Sequence, residues 1–303
     1  YIVFRIINGF MTSNEWKSRG NFLQVNNNRL FVIDTNNDSN KSQKSMVVLH
    51  GYPTSSLDYY KVLPELSKSY RVILHDHLGF GFSDKPKNVV YSLVKQADIA
   101  LELWRQLGLK KIYLFAHDYG TSVATEIIAR YNANELDIKI EQLILTNGSI
   151  HIELSQLRTI QKLLKHKFLG KYVAKLTNFP IFRKNMKNIY FDSSKVTDNE
   201  LKEMWELIEL NGGREVIHKL TQYINERYLY WDRWIGALKE TRVQTKIIWA
   251  KNDPIAVPAI AKLLAKEIPN NILFWMENTG HFLMLESPKE LLELILKNNY
   301  NNN

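Results

Sequence analysis

Short apolar runs rich in β-branched and aromatic residues alternate with helical patterning along this chain, and that alternation restricts the fold more than any other feature. Ser45-Met46-Val47-Val48-Leu49, Arg71-Val72-Ile73-Leu74, Lys111-Ile112-Tyr113-Leu114-Phe115, Gln142-Leu143-Ile144-Leu145 and Lys246-Ile247-Ile248-Trp249 read as buried strands, and Asn271-Ile272-Leu273-Phe274 as the last one. Strands separated by helices imply a parallel sheet with crossovers packed on its faces. The interval from about 148 to 240 is too long for a single crossover. It is rich in Leu, Lys, Trp and Tyr and reads as several helices, one of them capped by Asp198 and Asn199. The expected architecture is therefore an α/β core built from 20–147 and 241–300, with a helical cap inserted at 148–240 and an N-terminal extension at 1–19. Asn-rich patches at Asn26-Asn27-Asn28, Asn36-Asn37 and Asn301-Asn302-Asn303 read as turns and a frayed end, and no repeat is visible.

A length of 303 residues suits one large domain with an insertion, and 45% hydrophobic with 23% charged residues excludes disordered or fibrous classes. Cysteine is absent, which removes disulfides, thiolate metal sites and thiol nucleophiles and fits a reducing, cytoplasmic compartment. The formal charge of +9 reads as a solvated basic surface, because the bases look scattered along the chain, and no nucleic-acid partner is expected. No apolar stretch has the length of a membrane span. The apolar opening Tyr1-Ile2-Val3-Phe4-Arg5-Ile6-Ile7 lacks the flanks of a signal peptide, and with Met11 close behind it residues 1–10 are expected to precede the natural start.

Chemistry concentrates where a strand meets a helix. Phe115-Ala116-His117-Asp118-Tyr119-Gly120-Thr121 leaves a strand and opens a helix, with small residues two places either side of Asp118. Such an elbow raises its central side chain above the sheet. Here that side chain is a carboxylate, which the N–H groups of a helix start keep charged and able to attack an electrophilic carbon. Helix capping is the bland alternative for Asp118. Two turn-rich loops follow earlier strands: His50-Gly51-Tyr52-Pro53-Thr54-Ser55-Ser56, whose Tyr52 N–H can point at the elbow, and Asp76-His77-Leu78-Gly79-Phe80-Gly81-Phe82-Ser83-Asp84-Lys85-Pro86.

Taken in this order, these motifs resemble the α/β-hydrolase superfamily, specifically its aspartate-nucleophile branch of epoxide hydrolases and haloalkane dehalogenases. Together with Gln222-Tyr223-Ile224-Asn225 and Arg233-Trp234-Ile235-Gly236-Ala237-Leu238, they are most similar to the mesoderm-specific transcript group. The resemblance implies a triad in the order nucleophile, acid, base. Asp253, after the Lys246–Trp249 run, and His281, after the last strand, occupy the family's positions for acid and base, and Asn147 is a fallback orienter. The implied reaction forms an alkyl ester on Asp118, which a water activated by His281 hydrolyses. The backbone N–H groups of Tyr52 and Tyr119 form the oxyanion hole, and His50, Gly51 and Pro53 shape its loop.

Relatives that release halide typically carry Trp after the nucleophile and often Asn in the first loop, whereas this chain has Tyr119 and Tyr52 there. Fluoroacetate-type relatives usually carry Arg after the nucleophile. Tyr223, in the last cap helix, matches the place of one ring-opening tyrosine of epoxide hydrolases, while the stretch expected to hold a second has none and leaves Tyr172 and Tyr190 as substitutes. Epoxide hydrolysis to a diol is thus the leading expectation. Haloalkane dehalogenation, ester or lactone hydrolysis, and a non-catalytic binding protein on the same fold are the alternatives. Trp205, Trp231 and Trp234 either line an apolar pocket or join helices, and a small apolar substrate with water is expected. No phosphate-binding Gly-x-Gly-x-x-Gly turn or His-Glu-x-x-His spacing occurs, so no cofactor and no metal is expected.

Overall fold

Eight strands form a single sheet in the computed structural model, which describes residues 10–36 and 44–297. In chain order they are β1 (Asn21–Val25), β2 (Asn28–Asp34), β3 (Lys44–Leu49), β4 (Tyr70–His75), β5 (Lys111–His117), β6 (Lys139–Thr146), β7 (Thr245–Ala250) and β8 (Asn271–Met276). Their order across the sheet is β1-β2-β4-β3-β5-β6-β7-β8, with β1 and β2 antiparallel and every pairing from β4 to β8 parallel. All six strands expected from the apolar runs are present. The β1–β2 hairpin is an addition: Val25 pairs with Asn28 across Asn26 and Asn27, whose φ values of 47° and 63° suit a two-residue hairpin turn. The reading of residues 1–10 rests on positions that, except for Phe10, lie outside the described residues, as do Asn37 and the 301–303 tail.

Before the insertion come α1 (Ser13–Lys17), α2 (Leu63–Ser69), α3 (Leu93–Gln106) and α4 (Tyr119–Asn132). Between β6 and β7 lie α5 (Thr159–Leu164), α6 (Gly170–Leu176), α7 (Phe179–Lys187), α8 (Asp198–Glu209), α9 (Gly213–Leu220), α10 (Tyr223–Leu229) and α11 (Trp231–Glu240). The chain closes with α12 (Pro258–Glu267), α13 (Leu283–Glu286) and α14 (Pro288–Leu296).

The two-residue period of a strand divides the core into two layers. Val47 and Leu49 join Ala100 of α3 and Val123 of α4 in one, while Met46 and Val48 join Leu66 of α2 and Leu291 of α14 in the other. Both layers extend into the inserted helices, through Tyr223 and Trp234 on one side and Phe182 and Trp205 on the other. Each fully buried side chain of this size contributes about 1.5–3 kcal/mol. Polar contacts add direction. Glu126 of α4 accepts from Arg233 Nε at 2.9 Å and Trp234 Nε1 at 2.8 Å, tying α11 to the helix that carries the elbow. In the N-terminal extension, Trp16 is fully buried and its indole donates to Ser56 Oγ at 3.0 Å. Thr197, not Asp198 or Asn199, caps α8, because its hydroxyl and Glu200 close a reciprocal capping box.

Candidate active site

The elbow is strained where the sequence places its carboxylate. Asp118 separates β5 from α4 with φ 43° and ψ −107°, a conformation that non-glycine residues rarely adopt. Thr121 holds the turn, its N–H and Oγ1 donating to the Asp118 carbonyl at 3.1 and 2.5 Å. Close approach makes two glycines necessary: a Cβ on Gly120 would collide with the Leu49 carbonyl, and one on Gly51 would sit 2.8 Å from His117 Nδ1. With the first loop pressed against the elbow in this way, the Tyr52 N–H donates to Asp118 Oδ2 at 3.0 Å. Tyr119 is the first residue of α4, so its N–H belongs to the set that no carbonyl of that helix can accept.

Beyond β7 and β8 the chain brings Asp253 to His281. Asp253 Oδ1 accepts from the N–H groups of Ile255 and Ala256 at 2.7 and 3.0 Å, and its Oδ2 lies 2.7 Å from His281 Nδ1. That contact makes Nδ1 the protonated nitrogen and leaves Nε2 with a lone pair. Burial disfavours the imidazolium, but the charges of Asp253 and then Asp118 outweigh it and raise the His281 pKa above its ordinary 6.5. Asn147 is no orienter. Its Oδ1 accepts from the Ala250 N–H at 3.0 Å, and its Nδ2 donates to the carbonyls of Gly280 and His281, so its amide is committed to backbone.

Asp118 and His281 line one cavity together with Tyr52 and Pro53. Its roof is mostly apolar and comes from the inserted segment: Ile160 and Leu164 of α5, Phe182 and Met186 of α7, Trp205 of α8 and Ile217 of α9, with Arg158, Gln161, Thr177 and Asn185 as its polar members. Tyr223 opens α10, one helix earlier than the sequence reading puts it, and is buried with its ring 5.3 Å from that of Tyr52 and 5.2 Å from that of Tyr119. Gln161 Nε2 donates to the Tyr223 hydroxyl at 3.2 Å, so the phenolic proton remains free to be given elsewhere. Tyr223 itself stands behind the cavity wall, reaching it through Gln161, which lines it. Of the substitutes for a second tyrosine, Tyr172 is 56% exposed, and Tyr190 is buried and stacked on Phe282; neither lines the cavity. The tryptophans divide. Trp205 lines the pocket, whereas Trp231 and Trp234 donate to Glu153 and Glu126 and join elements.

Near the elbow, two buried titratable residues escape sequence reasoning. Arg227, one turn beyond Tyr223, is fully buried, with its guanidinium 4.6 Å from the Tyr223 ring centre. Its Nε donates to Ser122 Oγ at 2.8 Å and its Nη2 to the Asp118 carbonyl at 3.1 Å, while Nη2 stands 3.7 Å from Asp118 Oδ1. Asp58 lies in the 3₁₀ turn after the first loop. Thr54 Oγ1 donates to its Oδ2 at 2.5 Å, and its Oδ1 has no hydrogen-bond partner among the described residues. Burial first, and the charges of Asp76 and Asp118 after it, push the Asp58 carboxyl up to about 8, so it is mostly neutral at pH 7. The loop histidine His50 is held neutral by burial, which lowers it to about 4; it accepts the His77 N–H on Nε2 and donates from Nδ1 to the Gly51 carbonyl. Among the described residues no group of three or more His, Asp or Glu is disposed to hold a metal ion, and no helix is long and apolar enough to cross a membrane.

A family model described as alpha/beta hydrolase fold matches residues 44–288. The mesoderm-specific transcript protein of Mus musculus is 37% identical over 286 residues, covering 92% of this chain and 85% of that protein. Among solved structures, haloalkane dehalogenase DbeA of Bradyrhizobium elkani superposes with a TM-score of 0.77 at 18% identity, covering 91% of this chain and 95% of its own. The epoxide hydrolase CorEH superposes with 0.73 at 19% identity, covering 91% and 96%. At such identities these two structures share the fold, on which different reactions occur.

Proposed function

Since the chain belongs to the alpha/beta hydrolase fold family, we propose that it is a hydrolase whose nucleophile is Asp118, with Asp253 and His281 as acid and base. In this reading residues 148–240 act as a cap over a core of 20–147 and 241–300, of which 37–43 and 298–300 lie outside the described residues. The observation that carries the proposal is the 3.0 Å bond from the Tyr52 N–H to Asp118 Oδ2. It keeps one carboxylate oxygen in the cradle that a tetrahedral intermediate needs and leaves Oδ1 to attack.

An epoxide is the first choice, because ring opening needs a proton donor and the Tyr223 hydroxyl, held by the cavity-lining Gln161, has a proton free. Oδ1 bonds to a ring carbon as the carbon–oxygen bond breaks, and the alkoxide takes the Tyr223 proton, giving a hydroxyalkyl ester of Asp118. His281 Nε2 then removes a proton from water, and the resulting hydroxide adds to the Asp118 carbonyl carbon. The N–H groups of Tyr52 and Tyr119 hold the oxyanion until it collapses; the departing alkoxide takes the proton of the new Asp118 carboxylic acid to give the diol and restore the carboxylate, and the imidazolium returns its proton to the Tyr223 phenolate. Charge on Asp253 stabilises the imidazolium in the interval. Halide release is the second reading, favoured by the apolar roof with Trp205.

His281→Gln stops the second half-reaction only. A styrene-oxide-like epoxide should therefore leave a mass adduct on the peptide containing Asp118, and Asp118→Ala should abolish diol release. Bromide release from bromoalkanes without diol formation would transfer the assignment to dehalogenation, and ester cleavage that survives Asp118→Ala would remove Asp118 from the role.

A further inference from the structure

The positive charge that looks scattered in the sequence belongs to one stretch. Between Glu153 and Asp192 there are nine Lys or Arg and no acidic residue, which equals the chain's whole excess of +9 and leaves the remainder balanced. This stretch folds as α5, α6 and α7, which carry two sets of apolar side chains, the outer one centred on α6, where Leu169, Tyr172 and Leu176 recur at the spacing of one helix face. One looks inward: Ile160, Leu164, Phe182 and Met186 roof the cavity. The other meets solvent. Phe168 is 69% and Leu176 75% exposed, with Leu169, Tyr172 and Ile181 exposed beside them in the sequence.

Lysines alternate with these side chains. Lys162, Lys167, Lys171, Lys175 and Lys184 are exposed and enter no ion pair among the described residues, whereas Arg183 and Lys187 share Asp198 at 2.8 Å. Lys165 continues the pattern to α10, lying 5.9 Å from the ring of half-exposed Tyr228, next to exposed Leu229. A solvated surface would keep its lysines and leave out the Leu and Phe; a protein interface core is depleted of lysine. Duplex nucleic acid satisfies the cations and offers little to Leu169, Leu176 or Ile181. Anionic head groups over acyl chains match both components, since lysine heads reach the phosphate level while leucine and phenylalanine enter the boundary below.

We propose that the outer face of α5–α7 docks on an anionic lipid surface, with α6 lying in its plane. Docking so read is independent of which reaction the site performs, and it sets the roof of the cavity against the membrane. The test is co-sedimentation of the full chain with phosphatidylcholine vesicles and with phosphatidylcholine–phosphatidylserine vesicles. The protein should sediment with the second and stay in solution with the first. Lys167→Glu/Lys171→Glu/Lys175→Glu and, separately, Phe168→Ser/Leu176→Ser should each weaken binding about tenfold or more at an unchanged unfolding midpoint. Equal binding to both vesicles, binding to neither, loss in only one of the two variants, or sedimentation through self-association or duplex DNA without vesicles would each overturn the proposal.

Discussion

The two walls of the cavity are built by different means. On the sheet side, backbone fixes the reacting groups: Asp118 sits on a strained elbow under the Tyr52 N–H, and Asp253 is pinned by the N–H groups of Ile255 and Ala256. On the helical side, side chains hold side chains: Gln161 holds Tyr223, and Ser122 holds Arg227. Groups set by backbone keep their geometry as long as the fold persists. Those set by side chains can be retuned one substitution at a time. If Asp118 is the nucleophile, the contrast teaches that the sheet side sets whether a covalent ester forms, and the helical side which electrophile forms it.

Tyr223→Phe is the sharpest test of that division. It removes the proton donor and nothing on the sheet side, so epoxide opening should slow by about 10²-fold or more in single-turnover kinetics, with ester hydrolysis unchanged. Equal slowing of both half-reactions would break the comparison. Arg227 is the residue that crosses between the walls. Arg227→Met should lower kcat about 10²-fold by releasing the elbow and cost about 3 kcal/mol in denaturant unfolding, because the buried partners are left unsatisfied. Arg227→Lys should recover only part of both, since an ammonium cannot reproduce the two-pronged geometry. A stability loss with an intact kcat would confine Arg227 to packing.

The smallest effect is set by pH. His281 must be neutral to take a proton from water, and its pKa is raised by Asp253 and Asp118 against the effect of burial. Asp118 is an uncharged ester during this half-reaction, so both charges act only in the free enzyme, where the His281 ring should titrate above its ordinary value of about 6.5 when followed by NMR. Ester hydrolysis should increase with pH along a limb whose midpoint lies below that free-enzyme value, and a free-enzyme midpoint at or below about 6.5 would show that the charges do not act on the ring as described. The sign for stability is the opposite: the raised pKa means that this pair stabilises the fold most below about 6.5 and loses that contribution as pH rises through the folded-state value.

Most of the sheet wall is legible in the sequence because its determinants are local. Apolar β-rich runs specify the strands, and glycine, alanine and proline around Asp118 and Tyr52 specify the turns. The β1–β2 hairpin is the exception: its Asn26-Asn27 turn is legible, but the flanking Asn21–Val25 and Asn28–Asp34 mix polar with apolar residues and do not read as apolar runs. The helical wall hides its determinants. Nothing in the sequence distinguishes Arg227 from a solvated charge, because its burial is imposed by partners far along the chain, such as Ser122; Asp58, on the sheet side, is hidden likewise, although its partner Thr54 is local. Asn147 misleads in the reverse sense: it follows a strand as an orienter would, yet the neighbouring strand and the His281 loop consume its amide. Charge on the cap is invisible until acidic residues are counted as well as basic ones.

Isotope placement tests the central claim most directly. In heavy-oxygen water, over repeated turnovers, a nucleophilic Asp118 must exchange its own carboxylate oxygen, because hydroxide attacks the Asp118 carbonyl carbon and not the substrate. Mass analysis of the peptide spanning Phe115 to Thr121 should show the label accumulating on Asp118. Heavy oxygen found in the product from the first turnover, with that peptide unlabelled, would contradict the account.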